Sequence, residues 1–142
     1  MSVSTLLSSS SSSSSVTDVN NNEFKFDPTL PLRITYLLNM EECSYLIQKQ
    51  HAWNPSDSSS NIFIHDFDPL TLHRMPVAES TDCIRTKLSY TKGIHLWKVS
   101  WKTNLRGTHA VIGVGSDQAP LHCNGYKQIL GNDGESWVSK IF

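Results

Sequence analysis

The chain has 142 residues, a net charge of −1 and 38% hydrophobic residues, which suits one small domain. The near-zero charge gives no electrostatic basis for binding nucleic acid or an anionic membrane, because both favour a basic face. No apolar run approaches the roughly 20 residues of a membrane span, and the N-terminus lacks the basic and apolar regions of a secretory signal. The three cysteines, Cys43, Cys83 and Cys123, are widely spaced. This predicts reduced thiols in a cytoplasmic or nuclear protein.

The N-terminal third divides into a tail and a helical extension. Residues 1–22 contain an unbroken serine run followed by asparagines, a composition that predicts a disordered tail. Residues 23–52 contain the only helical pattern, with a first piece at residues 32–38. Asn39 is a predicted N-cap for a second piece, with Glu41 and Glu42 in its first turn.

From residue 61 onward the hydrophobic period changes to two, which is typical of β-strands. The alternating segments are residues 62–65, 70–73, 94–101 and 109–114, and residues 102–107 between the last two are predicted to be a hairpin connection. A further short strand is predicted between Gly125 and Gly131. Many short strands separated by polar turns favour a mainly β, antiparallel sandwich with short N-terminal helices.

Several motifs, in order and spacing, resemble the first half of a SPRY domain as found in the SPRY-domain SOCS-box proteins of the Gustavus type. They are His51-Ala52-Trp53-Asn54-Pro55, the run from Arg74 to Arg85, Gly93-Ile94-His95-Leu96-Trp97, Arg106-Gly107-Thr108-His109-Ala110-Val111-Ile112-Gly113-Val114, Ala119-Pro120-Leu121-His122 and Glu135-Ser136-Trp137. The resemblance places a partial SPRY domain at residues 53–137 and implies a bent antiparallel β-sandwich.

The resemblance also implies a function as a peptide reader. Family members hold a short Asp/Glu-(Ile/Leu)-Asn-Asn-Asn peptide in a shallow pocket. A C-terminal SOCS box recruits elongins B and C and a cullin, which makes the whole protein a non-catalytic substrate receptor of a ubiquitin ligase. Carried over to this chain, the peptide-binding positions are Arg74, Pro76, Ala78, Glu79, Gly107, Thr108, Tyr126 and Ile129. Glu79 departs from the amide side chain often found there.

The sequence departs from the family after Trp137. Residues 138–142 replace the expected Gly-Trp-Asp-type strand, so we interpret the chain as a truncated isoform or an incomplete gene model that lacks the SOCS box. Elongins and a cullin are then partners of a full-length form alone. The alternatives are a regulatory or non-functional fragment that cannot recruit the ligase, and a complete small domain with its own function. A half-sandwich should expose strand edges and apolar faces.

The tail contains a candidate ligand of its own. Asp18-Val19-Asn20-Asn21-Asn22 nearly matches the peptide that the family reads, with Val19 where Ile or Leu is usual. We hypothesise that the tail occupies the pocket of its own or a neighbouring domain, helped by the high effective concentration of a tethered ligand. The alternative is that low-complexity tails often contain asparagine runs.

Catalytic, metal and cofactor sites find little support in the sequence. There is no Gly-x-Ser-x-Gly elbow, and the segment from Gly113 to Gln118 lacks the third glycine of a dinucleotide loop. The histidine and cysteine spacings match no zinc pattern. We therefore expect no enzyme activity, no metal and no cofactor.

Overall fold

The computed structural model describes residues 2–6 and 26–140, in which two short helices precede a set of antiparallel strands. Helix α1 spans Leu32–Leu38 and helix α2 spans Tyr45–Gln50. The Pro31 carbonyl accepts the N–H groups of Ile34 and Thr35 at 2.8 and 3.1 Å, which starts α1. Neither helix has the length and apolar content needed to cross a membrane.

The strands pair only in antiparallel fashion within the described residues. In chain order they are β1 (Ser2–Leu6), β2 (Trp53–Ser58), β3 (Ile62–His65), β4 (Asp68–Arg74), β5 (Ser80–Asp82), β6 (Ile84–Thr86), β7 (Leu96–Ser100), β8 (Val111–Gly115), β9 (His122–Asn124) and β10 (Ser136–Lys140). One sheet has the order β3-β4-β1-β7, and three strand pairs complete the fold: β10-β8, β2-β6 and β5-β9. The predicted mainly β, antiparallel class with short helices is confirmed.

The buried apolar side chains come from several elements. Among the described residues they are Leu37 of α1, Ala52 and Trp53 where α2 leads into β2, Ala119 after β8, and Ile129 after β9. The Trp53 indole N–H donates to the Leu70 carbonyl at 3.0 Å, which ties β2 to β4. Buried Trp side chains commonly satisfy this donor, so the core includes an oriented contact between strands.

The predicted cap of the second helix is wrong. Asn39 ends α1 instead, because its side-chain amide donates to the Thr35 carbonyl at 2.7 Å. Helix α2 begins after Ser44 and has no acidic residue in its first turn. Glu42 lies in the extended linker between the helices, where it forms an ion pair with Lys98 of β7.

Two strand predictions are also wrong. Residues 102–107 do not connect a hairpin, because β7 pairs with β1 and β8 pairs with β10, and a short 3-10 turn at Thr103–Leu105 occupies the connection. Residues 125–131 are not a strand: β9 ends at Asn124, and Gly125 and Gly131 have left-handed φ values of 85° and 76°. Such φ values interrupt a β ladder.

The two chain ends differ in part from the sequence interpretation. Residues 2–6, assigned to the disordered tail, form β1, in which Val3 and Thr5 are β-branched residues that favour strands. Residues 7–22 of that tail lie outside the described residues. At the other end, Ser136–Lys140 form β10. The domain boundaries otherwise stay predictions.

Candidate functional site

An exposed loop at residues 75–79 joins β4 to β5 and carries three of the predicted peptide-binding residues: Pro76, Ala78 and Glu79. All five loop side chains are exposed, and four of them are apolar. The backbone is nevertheless held. The Met75 N–H donates to the Asn61 carbonyl at 2.8 Å, and the Val77 N–H donates to the Met75 carbonyl at 2.8 Å.

Arg74 lies beneath this loop and binds its backbone. The guanidinium donates from Nη1 to the Met75 carbonyl at 3.1 Å, and from Nη2 to the carbonyls of Val77 and Ser80 at 2.9 and 2.8 Å. Its Nε donates to Asp82 at 2.6 Å. These bonds use four of the five N–H donors of an arginine side chain, so one Nη1 hydrogen remains.

Asp82 is the anion at the centre of this arrangement. Its carboxylate has no exposed surface and accepts hydrogen bonds from five side chains: Ser59 at 2.6 Å, Arg74 at 2.6 Å, Asn61 at 2.9 Å, Ser80 at 3.0 Å and His122 at 3.1 Å. Burial alone raises the pKa of Asp82, but the hydrogen bonds from Ser59, Asn61, His122 and Arg74 outweigh it and hold the pKa well below the ordinary value of 3.8. The carboxylate is therefore ionised and paired.

A second loop, residues 125–135 between β9 and β10, is joined to the first through backbone groups. The Gly125 N–H donates to the Glu79 carbonyl at 2.7 Å, and the Gly125 carbonyl accepts from the Thr81 hydroxyl at 2.9 Å. Glu79 itself has a left-handed φ of 49°, an uncommon value for a residue with a side chain. The next residue, Tyr126, is 60% exposed. Most of this residue is therefore accessible to solvent beside the junction of the two loops.

The structure brings together five of the eight predicted site residues. Pro76, Ala78, Glu79 and Tyr126 belong to the two joined loops, and Arg74, at the end of β4, binds the first of them. Ile129 lies three residues further on and is buried, which suits a core residue beneath the second loop. Gly107 and Thr108 are exposed after the 3-10 turn, and within residues 26–140 no hydrogen bond joins them to the two loops. Peptide contact by all eight stays a prediction.

The polar centre was missed by the sequence analysis. Asp82 and Ser80 lie within the motif from Arg74 to Arg85, but nothing in that motif indicates that Asn61 and His122 converge on the same carboxylate. The β5-β9 pairing in the structure accounts for one of these contacts, because Asp82 lies opposite His122 in its register.

Ser80, His122 and Asp82 have the residue types of a hydrolase triad but not its geometry. In a triad the acid and the nucleophile contact different imidazole nitrogens. Here Asp82 and Ser80 both contact His122 Nδ1, at 3.1 and 3.4 Å. Ser80 also donates directly to Asp82. The arrangement is that of a structural hydrogen-bond network, and no group of three or more metal-ligand side chains occurs in the part of the chain that the structure describes.

Curated relatives match most of the chain. It is 50% identical to protein gustavus of Drosophila melanogaster over 115 residues and 50% identical to human SPRY domain-containing SOCS box protein 1 over 107 residues. The chain belongs to this SPRY domain-containing SOCS box family. The matches cover 81% and 75% of this chain but 41% and 39% of the relatives, so the chain spans well under half of their length. No family model matches the chain.

A third relative helps to identify the domain to which the matched region corresponds. The F-box/SPRY domain-containing protein 1 of Drosophila mojavensis is 49% identical over 87 residues, which is 61% of this chain and 34% of the relative. Its name includes SPRY but no SOCS box. SPRY is the element that its name shares with human SPRY domain-containing SOCS box protein 1, which points to the SPRY domain as the matched region. The candidate ligand segment at residues 18–22 lies outside the described residues, so self-occupancy stays a prediction.

Proposed function

We propose that the two joined loops form part of a site for short asparagine-containing peptides of the Asp/Glu-(Ile/Leu)-Asn-Asn-Asn type. The observation that carries this proposal is the exposed, hydrogen-bonded loop at residues 75–79 beside Tyr126, in a chain half identical to SPRY domain-containing SOCS box proteins. An ordered loop loses little conformational entropy when a ligand binds.

The surface of the loop suits the apolar residue of such a peptide. Met75 and Val77 are each 40% exposed, and Pro76 and Ala78 between and after them are also exposed. Exposed apolar side chains on a fixed backbone provide a contact for an isoleucine or leucine without a folding cost.

Polar groups beside this surface suit the asparagines. A carboxamide has one acceptor and two donors and needs partners of both kinds. The Glu79 carboxylate accepts, and the Tyr126 hydroxyl both donates and accepts. The Tyr126 ring also offers a flat apolar face, and tyrosine is enriched among residues that dominate binding energy.

We further propose that the longer form of this protein presents peptide owners to a ubiquitin ligase as a non-catalytic adaptor. The support is the SOCS box in the name of human SPRY domain-containing SOCS box protein 1, a module through which elongins B and C and a cullin would be recruited. Since the chain spans 41% of gustavus, we assign this recruitment to a full-length form.

A binding measurement on Tyr126→Ala tests the peptide site. We expect the 142-residue chain to bind a fluorescent Asp-Ile-Asn-Asn-Asn peptide, and the variant to bind it about tenfold or more weakly, as for truncation of an aromatic hot spot. Tyr36→Ala is the matched control, because Tyr36 is 61% exposed on α1. Equal affinity of the Tyr126→Ala variant and the wild-type chain would count against the site.

Co-purification separates adaptor from fragment. A full-length form should retain elongins B and C in a pull-down, whereas the 142-residue chain should bind peptide without them. Retention of the elongins by the 142-residue chain would contradict the assignment of recruitment to the longer form.

A further inference from the structure

We propose that Arg74 is a positioning residue that fixes the shape of the 75–79 loop, and that Asp82 holds Arg74 in place for this purpose. The inference deepens the proposed peptide site and rests on it. It assigns to Arg74 a role different from that of a forked donor to the ligand.

Arg74 uses most of its N–H donors within the protein. Three of its N–H groups bind carbonyls of the loop and of the first residue of β5, and a fourth binds Asp82. A bidentate contact with a ligand carboxylate needs two parallel donors on one guanidinium edge. One remaining hydrogen cannot supply this.

The exposed position of the loop leaves its shape dependent on polar contacts. Between Arg74 and Ser80 the chain turns with little packing, since every side chain of residues 75–79 is exposed. The hydrophobic effect therefore contributes little to fixing the conformation of the loop. The backbone carbonyls of this segment need hydrogen-bond donors, and the guanidinium supplies three of them from a single rigid, planar group.

Arg74 is itself anchored by Asp82. Its side chain is 36% exposed, whereas its partner Asp82 is fully buried and bonded to four further side chains. Those four come from the β2-β3 turn, β5 and β9. Asp82 thus fixes Arg74 relative to both loops of the site.

The 75–79 loop is also linked to the second loop. The Glu79 carbonyl accepts the Gly125 N–H, so the orientation of the Glu79 peptide group affects where Tyr126 stands. Loss of Arg74 should therefore loosen both loops. Because three loop and junction amides are hydrogen-bonded, this effect has direct reporters: the N–H groups of Met75, Val77 and Gly125.

Amide hydrogen exchange on the ligand-free 142-residue chain tests the positioning role. In Arg74→Lys, which keeps the charge but not the planar fork, we expect the three reporter amides to exchange about tenfold or more faster than in wild type. Asp82→Asn should accelerate the same amides. The β8-β10 amides should stay unchanged in Arg74→Lys.

The matched control is Arg85→Lys. Arg85 likewise donates to a carboxylate, Asp57 at 2.8 Å, and to the backbone carbonyls of Asp117 and Ala119. Arg85→Lys should leave the three reporter amides at wild-type rates. Unchanged reporter exchange in Arg74→Lys, or equal acceleration throughout β8-β10, would overturn the proposal.

A double-mutant cycle tests the same role in binding. Arg74→Lys and wild type are each titrated with Asp-Ile-Asn-Asn-Asn and with Asn-Ile-Asn-Asn-Asn. A positioning residue should weaken both peptides by the same factor, whereas a direct contact would weaken the acidic peptide selectively. Selective weakening overturns the inference. If wild type binds neither peptide, the proposed function fails, and the exchange rates still decide the role of Arg74.

Discussion

At the scale of single residues, Glu79 gives this site an electrostatic character of its own. Its carboxylate forms no hydrogen bond or ion pair within residues 26–140, while the neighbouring cation, Arg74, is committed to Asp82 and to the loop backbone. The rim of the first loop therefore carries an uncompensated negative charge. Such a charge disfavours a peptide that begins with Asp or Glu.

Glu79→Gln should strengthen binding of an acidic peptide. Removal of one nearby like charge at an exposed site should raise the affinity for Asp-Ile-Asn-Asn-Asn about two- to fivefold. Titrations at low and high salt should show the gain shrink as salt rises. Glu41→Gln, at an exposed residue of the helix linker, is the control. Equal affinity of Glu79→Gln and wild type at low salt would contradict the effect.

The sequence predicts which residues are site candidates, but it does not predict the role of each one. Motif resemblance identifies Arg74, Glu79 and Tyr126 as site candidates, since they stand at motif positions. It does not reveal that Arg74 faces the backbone. That depends on Asp82, whose partners Asn61 and His122 come from distant parts of the chain and converge only in the folded structure.

At the scale of elements, the junction of the two loops depends on a glycine. Gly125 has a φ of 85°, and a Cβ added there would meet nothing closer than Lys127 Cε at 3.9 Å. The space is open, so the requirement for glycine is conformational. An L-residue in the left-handed region costs about 1–2 kcal/mol.

Gly125→Ala should lower the free energy of unfolding by about 1–2 kcal/mol. Gly107→Ala is the matched control, because a Cβ at Gly107 meets no atom within 4 Å and its φ lies outside the left-handed region. The control should change stability by less than about 0.5 kcal/mol. Urea unfolding measures both. Similar losses in the two variants would exclude a conformational cause.

Elements with a clear hydrophobic period were the most predictable. The segments 62–65 and 70–73 became parts of β3 and β4, because alternating apolar and polar residues favour strands; in β3, Ile62 and Ile64 are half-buried whereas Phe63 and His65 are exposed. The errors fell where partner choice decides. Residues 102–107 lie between two predicted strands that do not pair with each other. Instead β7 pairs with β1 and β8 pairs with β10, and these long-range pairings determine the path of the connection. Asn39 suits either helix end, and its bond to Thr35 decides between them.

At the scale of the whole molecule, the described part of the chain buries few large apolar side chains. Val114 and Trp137, which lie opposite each other in the β8-β10 pair, are 60% and 64% exposed. Exposed apolar faces of this kind favour association. With a small core, the polar contacts of buried histidine and aspartate side chains weigh more in the overall stability.

Stability should fall on acidification through the titration range of histidine. His51 is 5% exposed and hydrogen-bonded to the Tyr90 hydroxyl; burial first, and the charge of His95 second, lower its pKa below 6.5. The unfolded chain therefore takes up a proton that the folded chain resists. We expect the urea concentration at the midpoint of unfolding to decrease as the pH is lowered from about 7.5 to about 5.5.

A variant identifies the histidine responsible. His51→Gln should flatten this pH dependence, whereas His109→Gln, at an exposed residue, should leave it unchanged. An equal slope in His51→Gln and wild type would contradict the assignment. Asp82 acts in a separate range, because its lowered pKa stabilises the fold above 3.8 and that contribution is lost only below this pH.

The way in which Arg74 holds its loop has a consequence for how such a site can diversify. Its loop partners are backbone carbonyls, which every amino acid supplies, and its anchor Asp82 lies outside residues 75–79. Residues outside the loop thus set its backbone shape, and the loop side chains can vary without changing that shape. A library randomised at residues 76–78 should display many surfaces on one unchanged frame, which makes the loop a natural place for new specificities to arise.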